Sequence, residues 1–270
     1  MSVIPDQYIN SVLSIGVSNS NEHDDITWIG SGFFVSKRLS EDSTKARIFV
    51  VTNRHVIDGK KAVTLRLKKK DGSFVQYTHE LLGNGIPQYS TSDDPKVDVA
   101  VFTFVAGIIE QFGIDINFID IDANVATTNE FLSGGGGEGS LVYMLGYPMG
   151  LVNIESNTPI CRLGCVARMD EYEINKEKKI LLDIQNFPGN SGSPILTRPE
   201  VMSVGGAKPF DRSVLLGIIC SYIPYRDWLI SKQTGEIVEI RTENSGIANC
   251  IPVEFIREVI DKEMNRNKQP

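Results

Sequence analysis

With 270 residues, 41% of them hydrophobic, the chain is long enough for one large or two modest domains, each with a buried core. Its 27 basic and 34 acidic residues leave a net charge of −7 with no basic face or arginine-rich segment, which argues against nucleic acid as the main partner. No window reaches the roughly 18 apolar residues needed to span a bilayer, so no membrane association is expected.

The start, MSVIPDQYIN, has no cationic segment followed by a long apolar run, so no secretory signal is visible. Strands are predicted near 11–18, 28–36, 46–52, 62–68, 73–79 and 97–105. The one basic run, RLKKKDGSF (66–74), surrounds Asp71-Gly72, a pair suited to a tight hairpin, and reads as a solvated turn. SGGGGEGS (133–140) is the stretch expected to be most flexible and the expected boundary between two β units, 1–132 and 133–270. A second set of strands is predicted near 140–146, 160–169, 179–185, 193–197, 213–221, 236–241 and 247–251. The pattern is that of an all-β barrel or sandwich. In IPVEFIREVIDKEM, residues Val253, Ile256, Val259 and Ile260 fall at helical spacing, which predicts a C-terminal helix over about 252–265 and a frayed tail. Cys161, Cys165, Cys220 and Cys250 make no C-x-x-C pair and read as small buried hydrophobes in a reducing compartment. With only three histidines, a structural zinc site is not expected, and a cytoplasmic location is.

One stretch stands out. NFPGNSGSPIL (186–196) surrounds Ser191 with glycine, proline and asparagine, which are ordinary turn residues but also the means of aiming backbone groups at one point. Three histidines could serve a serine as base. His23 sits in a polar loop and His79 at a strand end, whereas His55, in IFVVTNRHVIDG, follows an apolar strand that would deliver it with fixed geometry. Taken alone, His55 reads better as a satisfied, partly buried histidine. In DPKVDVAVFTFV, alternation sets Val97, Val99 and Val101 against Asp98, Ala100 and Phe102, so Asp98 is expected on a buried strand and in need of a donor. A histidine N–H or the backbone N–H groups of a turn would each serve. Asp93 and Asp94, beside Pro95, read as loop residues. The order His55, Asp98, Ser191 excludes the α/β-hydrolase arrangement, which runs serine, acid, histidine and carries G-x-S-x-G.

Seven blocks, in order, resemble the chymotrypsin-fold serine proteases, and most nearly the bacterial HtrA/Deg-like branch: GSGFFVS, VVTNRHVI, DVAVF, LGYPMG, PGNSGSPIL, LLGIICS and GIANCIPVEFIREVI. The resemblance implies an all-β fold of two six-stranded antiparallel barrels with the active site between them. It implies Ser191 as nucleophile, His55 as general base, Asp98 as the carboxylate that fixes the imidazole, and the N–H groups of Gly189 and Ser191 as oxyanion hole. Cys220, Ser221 and Tyr222 would form the edge that pairs with substrate backbone, and Gln185 stands where a trypsin holds aspartate, so a preference for Arg or Lys is not supported. Asp183 is expected to be structural. The chain departs from the digestive enzymes at Asn190, which cannot pair with a new N-terminus, and at Ser193, where many relatives have glycine. No PDZ domain is expected after about residue 265, so regulation of that kind would be absent or supplied by a partner. The implied partners are a protein or peptide substrate and an activating protein. No cofactor and no metal are implied. Tyr225 and Trp228 are expected to pack on the barrel, and a non-cutting peptide binder or a latent enzyme stands as the alternative function.

Overall fold

The structure, a computed structural model, describes residues 3–19, 25–40, 43, 45–153, 155–202, 206 and 208–266. His23 and the last four residues of the tail lie outside them. The N-terminal half opens with a turn of helix, α1 (Asp6–Ile9), and runs through β1 (Val12–Ser18), β2 (Ile26–Arg38), β3 (Ala46–Thr52), α2 (Arg54–Ile57), β4 (Ala62–Lys68) and β5 (Phe74–Glu80). The short strands β6 (Leu82–Gly83), β7 (Ile86–Pro87) and β8 (Ser90–Thr91) lead to β9 (Ala100–Phe104), α3 (Ala106–Phe112) and β10 (Ile119–Asp120). After α4 (Thr128–Ser133) come β11 (Leu141–Gly146), β12 (Ile160–Arg168), β13 (Ile180–Asp183), β14 (Pro194–Thr197), β15 (Leu215–Ile230) and β16 (Ile237–Pro252), then α5 (Val253–Arg266).

Strands β11 to β16 close into a six-stranded barrel in the order β11-β12-β13-β16-β15-β14. The N-terminal strands form one eight-stranded sheet, β5-β4-β1-β2-β3-β9-β8 with β10 added in parallel to β2, and no pairing closes it among the described residues. The expectation of two closed barrels therefore stands for the second half; the first is a sheet whose path ends at β5 and β8.

The sheet is apolar on both faces, which explains runs such as IFVV and VAVF where a one-sided sheet would alternate cleanly. Phe34, Val50, Ala100 and Phe102 belong to a core of the N-terminal half, while Phe33, Val35, Phe49, Val51, Val97, Val99 and Val101 face the other way. That second face packs on Leu145, Tyr147, Leu196, Leu215 and Ile218 of the barrel and on α5, so one core joins the two halves. A third core fills the barrel. Val253, Ile256, Val259 and Ile260 are all buried in the joining core, as their spacing predicts, each stabilising by about 1.5–3 kcal/mol. Glu263, fully buried on α5, accepts hydrogen bonds from Ser90 Oγ at 2.7 Å, Thr103 Oγ1 at 3.0 Å and both Nε and Nη2 of Arg266, which clamps the helix to β8 and β9.

Four local expectations change. The strands expected at 236–241 and 247–251 are one strand, and β15 runs on to Ile230, because residues 224–244 pair as a two-stranded ribbon that leaves the barrel. Tyr225 and Trp228 lie on that ribbon, 57% and 52% exposed, and do not pack on the barrel. The first part of the glycine run is packed: a Cβ at Gly135 would lie 1.7 Å from the Lys208 carbonyl oxygen, and Gly136 lies against the Phe131 ring, whereas Gly139 meets nothing within 4 Å. Of the unpaired cysteines, Cys220 and Cys250 are buried, but Cys161 is exposed on β12.

His79, next to last in β5, stacks on Phe102 with ring centroids 4.3 Å apart, and its Nε2 is buried without a hydrogen-bond partner among the described residues. Burial pushes its pKa down to about 4, against a smaller upward pull from Glu263. Between pH 6.5 and 4 the unfolded chain therefore binds a proton that the folded one refuses, so stability present above pH 6.5 is lost as the pH falls through this window. Urea unfolding across this range should show a loss of roughly 2–3 kcal/mol from this residue, and His79→Phe should flatten that part of the acid slope. An unchanged slope would refute it.

Candidate active site

His55 sits on α2, a single helical turn entered directly from β3 through Asn53. Asp98 lies at the centre of a three-residue turn closed by Val99 N–H on the Val97 carbonyl at 2.9 Å, two residues before β9 begins at Ala100, so it is not on the strand expected for it, and its side chain is 25% exposed. One residue satisfies both of its carboxylate oxygens: His55 Nδ1 lies 2.5 Å from Oδ2, and the His55 backbone N–H donates to Oδ1 at 3.0 Å. Asn53 Nδ2 donates to the Asp98 carbonyl oxygen at 2.7 Å, which fixes the loop's approach. An ionised carboxylate only accepts, so the proton of a neutral His55 ring sits on Nδ1 and Nε2 is left with a free lone pair. The ring is half exposed.

Ser191 follows a tight turn in which Asn190 N–H donates to the Phe187 carbonyl at 3.0 Å. Gly189 takes the third position of that turn with φ +94°, the left-handed value a type II turn demands there. The Pro188 carbonyl accepts from Met149 N–H at 2.5 Å, the Gly189 carbonyl from Ser31 Oγ at 2.8 Å, and the Ser191 carbonyl from Ser31 N–H at 2.8 Å. In a planar trans peptide the N–H points opposite to the C=O. Gly189 N–H shares its peptide with the Pro188 carbonyl, and Ser191 N–H shares its peptide with the Asn190 carbonyl, which accepts from Ser193 N–H at 2.9 Å. Both N–H groups therefore face away from these bonds, and neither meets an acceptor among the described residues. Gly30 of β2 lies between the two sites: a Cβ there would come 2.8 Å from Val56 Cγ1 and 3.2 Å from the Ser191 carbonyl oxygen. Neither Ser191 Oγ nor His55 Nε2 is hydrogen-bonded among the described residues, so the contact expected between them is open, as contacts of that kind often are before substrate binds.

On the far wall, β14 pairs with β15 only as far as Pro194 and Ile218, and Ile219 bonds Gly192 and Ser193. From Cys220 onward no strand covers that edge among the described residues. Ser221 is exposed and Tyr222 half-buried, while Cys220 is buried, its thiol pushed up to about 12 by burial first and by Asp98 among the lesser causes. Gln185 is exposed beside Gly246, and Asp183 is an exposed residue of β13. Among the described residues no cluster of three or more His, Cys, Asp or Glu is arranged to hold a metal, and no helix is long and apolar enough to cross a membrane.

Residues 30–205 match the trypsin-like peptidase domain. The chain belongs to that family. No curated protein matches it in sequence. Among solved structures, the HtrA-type protease AlgW with a tripeptide superposes with a TM-score of 0.54 at 15% identity, over 97% of this chain and 62% of that one. AlgW with a decapeptide gives 0.50 at 17% identity, over 96% and 66%. The MamO protease domain from Magnetospirillum magneticum, in its apo form, gives 0.46 at 12%, over 94% and 98%. The AlgW likeness shows a shared fold, and the chain spans less than two-thirds of the length of those structures.

For a trypsin-like peptidase the blocks GSGFFVS and LGYPMG carry more than resemblance. They supply Ser31, Tyr147 and Met149, which hold the turn around Gly189 and which motif reading left without a role. Gly192, with φ +91°, leaves no room for a side chain: a Cβ would lie 1.9 Å from the Ser31 carbonyl oxygen and 2.6 Å from Thr52 Oγ1. Gly192→Ala combines left-handed strain of about 1–2 kcal/mol with overpacking of about 1–3 kcal/mol. It should lower the melting temperature by roughly 5–15 °C at about 2–4 °C per kcal/mol; a melt unchanged within 2 °C would show that the seam is looser than drawn.

Proposed function

We propose that this chain is a serine endopeptidase, with Ser191 as nucleophile, His55 as general base and Asp98 as the carboxylate that orients it. The observation that carries this reading is the double grip of Asp98 on His55, ring and backbone together, beside a turn whose two N–H groups are unclaimed. In this reading residues 1–132 and 133–270 are the two units, with the substrate between them.

Ser191 Oγ would attack the scissile carbonyl carbon while its proton passes to His55 Nε2. The Nδ1 proton stays on the imidazolium, held by Asp98, whose charge stabilises the cation. The carbonyl oxygen, now negative, would accept from Gly189 N–H and Ser191 N–H. Such donors are aimed before the reaction and need not reorganise during it. Collapse breaks the C–N bond, the amine takes the proton from His55, and water deacylates Ser191 by the same steps in reverse. The uncovered edge of β15 at Ser221 and Tyr222 would pair with the extended substrate backbone. AlgW has been seen with a tripeptide and a decapeptide, which supports a peptide or protein substrate here. The open contact between Ser191 and His55 supports the second reading, a latent enzyme that a partner activates.

A fluorophosphonate probe separates the readings. Wild type should label at one site and Ser191→Ala should not. His55→Ala should abolish labelling with less than about 10 °C lost from the melt, because the ring is half exposed. Asp98→Asn should lower turnover by about 10⁴. Absence of labelling in the wild type, with or without candidate partners, would reject a working serine nucleophile.

A further inference from the structure

We propose that the hydroxyl of Ser31 is the positioning group that sets the Gly189 peptide in its catalytically competent orientation. The inference rests on the proteolytic reading and adds to it a residue that never touches substrate. Ser31 is fully buried in the middle of β2. Its Oγ accepts from Tyr147 N–H at 3.0 Å and donates to the Gly189 carbonyl at 2.8 Å. A hydroxyl has one proton. With a backbone N–H already directed at its lone pair, that proton has one remaining use, and the Gly189 carbonyl receives it.

The consequence lies one peptide away. A type I turn and a type II turn over residues 187–190 differ by rotation of the central peptide, the one between Pro188 and Gly189. One bond resists that rotation directly, and a second pins the end of the turn on which the rotating peptide pivots. Met149 N–H holds the Pro188 carbonyl, and Ser31 Oγ holds the next carbonyl along. The first bond depends on the loop at Pro148–Gly150, where Met149 itself has φ +55°, a left-handed value unusual for a side chain of that size. The second bond comes from the centre of a buried strand. Ser31 is also tied through its backbone, N–H to the Ser191 carbonyl at 2.8 Å and C=O to Thr52 Oγ1 at 2.7 Å, so the hydroxyl is presented from a fixed point. Without it, the Gly189 carbonyl and the Tyr147 N–H both lose their partner, and the end of the turn on which the central peptide pivots is no longer held, so rotation is opposed by the Met149 bond alone. In the rotated turn the Gly189 N–H leaves the substrate side and the Pro188 carbonyl replaces it, which would repel an oxyanion.

The test compares wild type with Ser31→Ala and Ser31→Cys, using a peptide aldehyde, which forms a tetrahedral adduct with the serine, and the same peptide ending in an amide. Ser31→Ala should bind the aldehyde about 10–100-fold more weakly, part of the 10²–10³ that loss of one oxyanion donor costs. The amide should change by less than about 3-fold, and Ser31→Cys, which keeps a weak donor, should fall between. A purely structural role would weaken both ligands together, and that result would overturn the proposal. The conformation of Gly189 in a crystal structure of Ser31→Ala decides the matter without any activity: a negative φ or two conformers supports the latch, and retention of the positive φ overturns it. Failure of the wild type to bind aldehyde any better than amide would count against the proteolytic reading, and the Gly189 conformation would still be scored by itself.

Discussion

The site depends on one backbone hydrogen bond across the molecule, from Ser31 N–H on β2 to the carbonyl of Ser191. It joins the N-terminal sheet to the C-terminal barrel at the residue where position matters most. β2 can carry this duty because it is held on every side: β1 and β3 pair along it, β10 adds in parallel, and Phe33 and Val35 are buried in the core between the halves. A slip of one residue would exchange Phe33 and Val35 with Phe34, each already matched to a different core. The register of β2 is therefore fixed by packing, and the turn before Ser191 takes its position from that register.

Charge is handled differently in the two places where carboxylates do structural work. Glu263 is fully buried, and two hydroxyls and an arginine fork surround it. It is a clamp, and loss of Arg266 would leave the buried carboxylate without its counter-charge. Asp98 keeps a quarter of its side chain in water and needs fewer donors, which leaves its oxygens free to engage one histidine twice. Its buried neighbour Cys220 helps by staying neutral. With the thiol pushed up to about 12, no second negative charge arises beside the carboxylate near neutral pH.

Much of this was legible in the sequence. The helix was written in Val253, Ile256, Val259 and Ile260, and β1 to β5 lie within two residues of their predicted ends. The pairing of His55 with Asp98 followed from chain order and from the need of a shielded carboxylate for a donor, although the strand expected to start at 97 and to carry Asp98 begins only at Ala100. Other features could not be read because they depend on partners distant in the chain. Ser31 is an unremarkable serine between two glycines until Gly189, 158 residues on, is laid against it. The glycine run looked loose because composition reports backbone freedom and not the Lys208 carbonyl that takes up the space. Closure of a barrel is likewise a property of strand ends, and β5 and β8 show no signal that would have told an open path from a closed one.

The ribbon of β15 and β16 marks the opposite limit of the fold. Trp228 faces Ile240 and Ile230 faces Ile237 across it, whereas Asp227 faces Arg241 on the other surface, so the ribbon is amphipathic. All four apolar side chains are 49–59% exposed, and a two-stranded ribbon without a third strand or a covering element is of marginal stability in water. It is secured at its base, where Asn244 Nδ2 donates to the Asn186 carbonyl and Ser245 Oγ to that of Ile223, both at 2.5 Å. Asn186 opens the segment that leads into the turn at Gly189. The least supported element and the most tightly held one are thus only a few residues apart. Local opening free energies follow packing and burial, so the ribbon can fray from its tip while Ser31 and Thr52, buried in the sheet, keep the turn in place.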